Sequence, residues 1–187
     1  MKKVFIIHGF QGSPNGGWRP WLMRELEILD VYACALSMPN PDFPVCEEWT
    51  EEITRHIERN KNDEIYLIGH SLGAPAILRY LETAPKKLSI KGVFLVSGPS
   101  EKNNNPKIDS FLEKPFNFSA IKSKAAQFVI VHGDNDPEVP LGNAKLLSKE
   151  LNGELVTVPH GGHLNEQDGC IALPQLLESF KLISSQT

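Results

Sequence analysis

Several things are scarce in this sequence, and each scarcity removes a class of protein. No apolar stretch among its 187 residues approaches the roughly 18 in a row that a membrane-spanning helix needs. Cysteine occurs three times, at Cys34, Cys46 and Cys170, widely spaced and without a Cys-x-x-Cys pair. That excludes a disulfide framework or zinc ribbon and points to a reducing compartment. The six histidines include no His-Glu-x-x-His or comparable cluster, so no metal is expected. Basic residues are not in excess: the net charge is −4, which argues against nucleic acid as a partner. The N-terminal apolar run Val4-Phe5-Ile6-Ile7 stops at His8-Gly9, too short for a signal peptide. A cytoplasmic protein is expected.

What remains is ordinary globular composition, 41% hydrophobic, in a chain long enough for one well-buried core. No repeats or linkers divide it, so a single domain over residues 1–187 is expected. Short β-rich apolar runs alternate with helical patterns. Strands are read at Lys3–Ile7, Val31–Leu36, Glu64–Ile68, Gly92–Val96, Phe128–Val131 and Leu155–Val158. Helices are read at Trp18–Leu29, Val45–Ile57, Leu72–Leu81, Asn143–Leu151 and Ile171–Ile183. This alternation predicts an α/β fold, a mostly parallel doubly wound sheet of about six strands with helices on both faces. Ser97–Lys124, with its Asn103-Asn104-Asn105-Pro106 run, breaks the rhythm. It reads as a long loop with one short helix near Ser110–Glu113, either a lid or a surface connection.

The chemistry begins at Gly69-His70-Ser71-Leu72-Gly73, a G-x-S-x-G run. A strand ends at Gly69 and a helix starts just after Ser71, the strand–turn–helix setting of a nucleophile elbow. The elbow holds its serine in a strained turn, and the flanking glycines let neighbouring chain pass close by. Pro75 falls in the first helical turn, where a missing N–H costs little.

A serine nucleophile needs a base, and the base needs an orienting acid. In a fold with this elbow the order along the chain is Ser, acid, His. The strand Phe128–Val131 leads into Asp134-Asn135-Asp136, so either aspartate is a candidate acid. The strand Leu155–Val158 leads into His160-Gly161-Gly162-His163, so either histidine is a candidate base. Gly161-Gly162 would let the chain bring His163 back over Ser71, which favours His163. An oxyanion hole needs two backbone donors: Leu72, after the nucleophile, and Phe10 or Gln11 in the loop after the first strand. Trp18 and His8 are candidate substrate contacts, although a tryptophan in this helix also suits packing against the sheet. His70 and His132 read as packed structural histidines.

These residues resemble the YdeN and retinoblastoma-binding protein 9 family of small serine hydrolases, within the α/β-hydrolase superfamily. The likeness runs through Ile6-Ile7-His8-Gly9, Trp18-x-Pro20-Trp21-Leu22, Met38-Pro39-Asn40-Pro41 and Trp49. It continues in the elbow with Pro75-Ala76-Ile77-Leu78-Arg79, then Val96-Ser97-Gly98, Val139-Pro140 and His160-Gly161-Gly162-His163. The resemblance implies a minimal α/β-hydrolase fold, without two usual N-terminal strands or a large cap. It implies a triad of Ser71, Asp136 and His163, since the second acid of G-D-x-D-x-x-V-P carries the role in such enzymes. Asp134 is an extra acid beside it. No cofactor is implied. The expected activity is hydrolysis of a small ester or related acyl substrate. Peptidase or thioesterase chemistry would use the same residues, and a silent binding scaffold would keep only the fold.

Overall fold

The computed structural model describes residues 1–60, 62–102 and 105–185. Six strands form one sheet: β1 (Lys2–Ile7), β2 (Tyr32–Leu36), β3 (Glu64–His70), β4 (Gly92–Val96), β5 (Phe128–Gly133) and β6 (Glu154–Val158). Their spatial order is β2-β1-β3-β4-β5-β6, every neighbouring pair parallel. Parallel strands need crossovers, and the helices supply them. The main crossovers are α1 (Arg19–Ile28), α2 (Cys46–Arg59), α3 (Gly73–Thr83) and α6 (Leu141–Leu151), and α7 (Pro174–Ser184) follows β6 and packs on the sheet. This is the minimal architecture that the resemblance implies, with no large cap among the described residues.

Both sheet faces are buried, which explains the near-continuous apolar strands. Strand alternation sorts their side chains. Phe5, Ile7, Leu67, Leu95 and Ile130 join one cluster with Trp49 and Ile53 of α2, Leu78 of α3 and Leu147 of α6. Val4, Ile6, Ile68, Phe94 and Val131 join the other with Leu22 of α1 and Phe180 of α7. Truncating Leu22 or Leu78, both fully buried, to alanine is expected to cost about 2–5 kcal/mol.

Two places differ most from the sequence reading. The last helix starts at Pro174, because a residue before proline avoids helical backbone, and Leu173 sits at φ −135°, ψ 76°. Ser97–Lys124 is more ordered than a loop with one short helix, with Asn103 and Asn104 outside the described residues. It holds a 3₁₀ turn (Pro106–Ile108), α4 (Asp109–Leu112) and α5 (Phe118–Lys122). Phe111, Phe116 and Ile121 are buried in the first cluster, and Arg79 of α3 grips the segment. Its guanidinium donates to the carbonyls of Phe111 and Lys114 and lies 4.1 Å from the Phe116 ring centroid. The segment is fastened to α3.

The chain leaves β1 toward β2 on one side and returns to β3 on the other. The carboxyl ends of β1 and β3 therefore flank the switch point where open α/β sheets form a crevice.

Candidate active site

Ser71 directly follows β3 with φ +51°, a left-handed conformation costly for a serine. The surroundings enforce it. A Cβ on Gly69 would strike the backbone of Gly73, and one on Gly73 would strike the carbonyl of Ile7. The elbow therefore packs directly on the end of β1, and the Ser71 N–H donates to the Val96 carbonyl at 2.8 Å.

Three loops meet there. His163 Nε2 lies 2.9 Å from Ser71 Oγ. His163 Nδ1 lies 2.9 Å from Asp136 Oδ2 and 3.1 Å from Oδ1. The imidazole is thus bracketed by hydroxyl and carboxylate, with Nδ1–H donating to the acid and Nε2 free to accept from the serine. Asp136 is held in turn by the N–H groups of Glu138 and Val139, both 2.9 Å from Oδ1. Burial pushes its carboxyl up, but the His163 hydrogen bond and these two amides outweigh that and hold it below the usual carboxylate range. Burial pushes the His163 imidazole down. The Asp136 bond and the charges of Asp136, Glu138 and Asp168 outweigh it, so its pKa stands above 6.5.

The alternatives occupy different places. Asp134 is exposed, and its Oδ1 accepts from the His160 N–H at 2.8 Å, tying one loop to the other. His160 is exposed in a left-handed turn. The structure brings Ser71, Asp136 and His163 together and leaves Asp134 and His160 outside that contact.

At the oxyanion side, the N–H groups of Leu72 and Phe10 have no acceptor among the described residues. Gln11 does not qualify as a donor. Its N–H is spent on the Pro41 carbonyl at 2.9 Å, and its side chain donates to Asp42 at 2.9 Å.

Trp18 and His8 do not line the cleft. Trp18 is 1% exposed, and its indole N–H donates to the Leu164 carbonyl at 3.0 Å, bracing the His163 loop from behind. His8 is equally buried. Its Nδ1–H donates to the Gly9 carbonyl at 2.8 Å, Nε2 accepts from the Met38 N–H at 3.3 Å, and burial lowers its pKa. Both are packing residues in this structure.

Three further supports hold the His163 loop; His70 was expected as a packed histidine, and Asp168 and Asn135 were missed. His70 is buried, and its Nε2–H donates to the His163 carbonyl at 3.0 Å. Burial first, and the neighbouring His163 second, push its pKa down to about 3, so it stays neutral. Asp168 accepts from the His163 N–H at 2.6 Å, and Asn135 from the Gly162 N–H at 2.9 Å. No motif marks Asp168. Asn135, sitting between two candidate acids, could have been suspected as a loop tie.

Ser71 and His163 open onto a cleft of about 290 Å³ whose walls include Phe10, Arg19, Glu138 and Glu166. A hydroxyl beside a base, a base beside an acid and idle amides nearby can perform acyl transfer.

The family model described as "Serine hydrolase" matches residues 4–182. YdeN of Bacillus subtilis (strain 168) is 34% identical over 174 residues, 92% of this chain and 91% of that protein. Its crystal structure superposes with a TM-score of 0.94 at 33% identity, covering 99% of this chain and 100% of the other. Serine hydrolase RBBP9 of Rattus norvegicus is 24% identical over 171 residues, 89% of each chain. Est1E from Butyrivibrio proteoclasticus shares the fold at 18% identity, with a TM-score of 0.74 over 99% of this chain and 86% of that one.

Proposed function

This chain belongs to the serine hydrolase family, and we propose that it cleaves carboxylic esters or related acyl substrates through an acyl-enzyme on Ser71. His163 is the base and Asp136 its orienting acid. The observation that carries this reading is the unbroken contact from Ser71 Oγ through both ring nitrogens of His163 to Asp136 Oδ2, each step 2.9 Å.

The Ser71 oxygen attacks the substrate carbonyl carbon as its proton passes to His163 Nε2. The carbonyl oxygen gains the negative charge and is met by the N–H groups of Leu72 and Phe10. Each such donor is worth about 3–4 kcal/mol in the transition state. Asp136 stabilises the imidazolium without taking its proton. The imidazolium then protonates the departing alcohol, leaving an acyl group on Ser71. Water, deprotonated by the same nitrogen, attacks that acyl carbon and releases the acid and the free serine.

The test is labelling by an uncharged fluorophosphonate, together with hydrolysis of a short activated ester. Wild type should be labelled at Ser71 and should turn the ester over, and Ser71→Ala should do neither. A wild-type protein that resists the probe, or a Ser71→Ala variant with full esterase activity, sinks the reading.

A further inference from the structure

The cleft wall contains a buried cation that the reaction does not use. Arg19, the first residue of α1, is only 6% exposed yet lines the cleft beside Ser71. Its Nε–H donates to the Ser13 carbonyl at 3.0 Å, and its guanidinium carbon sits 5.8 Å from the Trp18 ring centroid. Those contacts fix the side chain but neutralise nothing. Among the described residues no carboxylate lies within 4.0 Å of Arg19. Glu166 acts on it only from further off and is exposed. Gly16 makes room for the group: a Cβ there would lie 2.6 Å from Arg19 Nη2.

A buried cation without a counter-ion is costly, and proteins seldom keep one idle. The remaining N–H groups of the fork offer the paired geometry that binds a carboxylate. We propose that Arg19 is a specificity residue and that the enzyme prefers small esters carrying a free carboxylate away from the scissile bond. One fixed cation matches one negative charge. Glu138 and Glu166 on the rim disfavour a more highly charged group such as phosphate. The small cleft suits a short substrate. This inference rests on the esterase reading above and deepens it.

The experiment compares two nitrophenyl esters of equal length, one made from glutaric acid with its second carboxylate free, the other from its terminal amide. Wild type should favour the carboxylate ester in kcat/KM by about tenfold or more, chiefly through KM. Arg19→Met should collapse that ratio toward one. Arg19→Lys, which keeps charge and stem but loses the fork, should reduce it partway and carries the test if the methionine variant does not fold. Free glutaramate, the monoamide with a single carboxylate, should inhibit wild type competitively and better than glutaramide or inorganic phosphate. Equal wild-type turnover of the two esters, phosphate as the better inhibitor, or an unchanged ratio in a folded Arg19 variant overturns the proposal. Labelling of Ser71 by the uncharged probe separates the cases. A labelled protein without carboxylate preference defeats this inference alone, and an unlabelled one defeats the esterase reading. If neither ester is turned over, calorimetric titration of glutaramate into wild type and Arg19→Met still decides: binding lost in the variant supports the site, and no binding to wild type, or equal binding to a folded variant, overturns it.

Discussion

The loops after β5 and β1 both emerge from carboxyl ends of the sheet, yet they are built differently. The loop after β5 is cross-linked to the His163 loop at three successive residues: Asp134 to the His160 amide, Asn135 to the Gly162 amide and Asp136 to the His163 ring. The loop after β1 has sparser ties, mainly Gln11 to Pro41 and Asp42, and Arg19 to Ser13. One region over-determines the position of the reacting groups. The other forms the wall that a substrate meets. Damage to the first should slow every substrate alike, whereas damage to the second should discriminate among substrates.

Variants can break or sharpen this contrast. Asp136→Asn should have the largest effect, a loss of about 10⁴-fold in kcat for all esters, because the imidazole loses its orienting anion. Circular dichroism should show it folded, and a loss confined to KM would contradict the assignment. Asp134→Ala removes one loop tie and leaves the His163–Asp136 pair in place. It should lower stability by about 1 kcal/mol, read as a fall in Tm, and reduce kcat far less than the Asp136 change. Equal losses from the two aspartates would erase the distinction between them. Gln11→Ala should be milder still, costing under about 1 kcal/mol and moving KM more than kcat, since its side-chain bond is exposed.

The smallest expected effect concerns pH. His163 must be neutral to accept the serine proton, and its pKa is raised, so kcat/KM should fall with acid from a point above pH 6.5. Glu138 Oε2 lies 3.6 Å from His163 Nε2 and contributes to that rise. Glu138→Gln should therefore move the acid limb to lower pH, by a small amount because the Glu138 side chain is 57% exposed. A shift upward would refute the charge argument. Stability runs the other way for the same imidazole. Its raised pKa stabilises the fold below pH 6.5, and that contribution fades as pH climbs through the folded value.

The fold was legible because strands buried on both faces leave apolar runs, and the elbow was legible because glycines, serine and strand end all lie within one short stretch. The acid and base loops were found by their order along the chain, while choosing between neighbours such as Asp134 and Asp136 drew on family likeness. What stayed hidden depends on contacts distant in sequence. Trp18 looks like a pocket residue until its indole is seen reaching Leu164, 146 positions away. Gln11 looks like an oxyanion donor until Pro41 takes its amide. No motif marks Arg19, and only the assembled cleft buries it. Of the short helices within 106–122, only the one near Ser110–Glu113 was read from the sequence; the 3₁₀ turn and α5 are too short to leave a periodic signal, so tertiary packing alone reveals them.

The grip of Arg79 on the 106–122 segment bears on the pace of turnover. None of that segment's residues borders the cleft, and Phe111 and Phe116 are sunk beneath the surface. Reactants therefore come and go through a mouth that needs no gate to swing. With departure unhindered, the slow event should be the making or breaking of a covalent bond. Thickening the solvent with sucrose should then leave kcat unmoved, whereas a poorer leaving group should lower it.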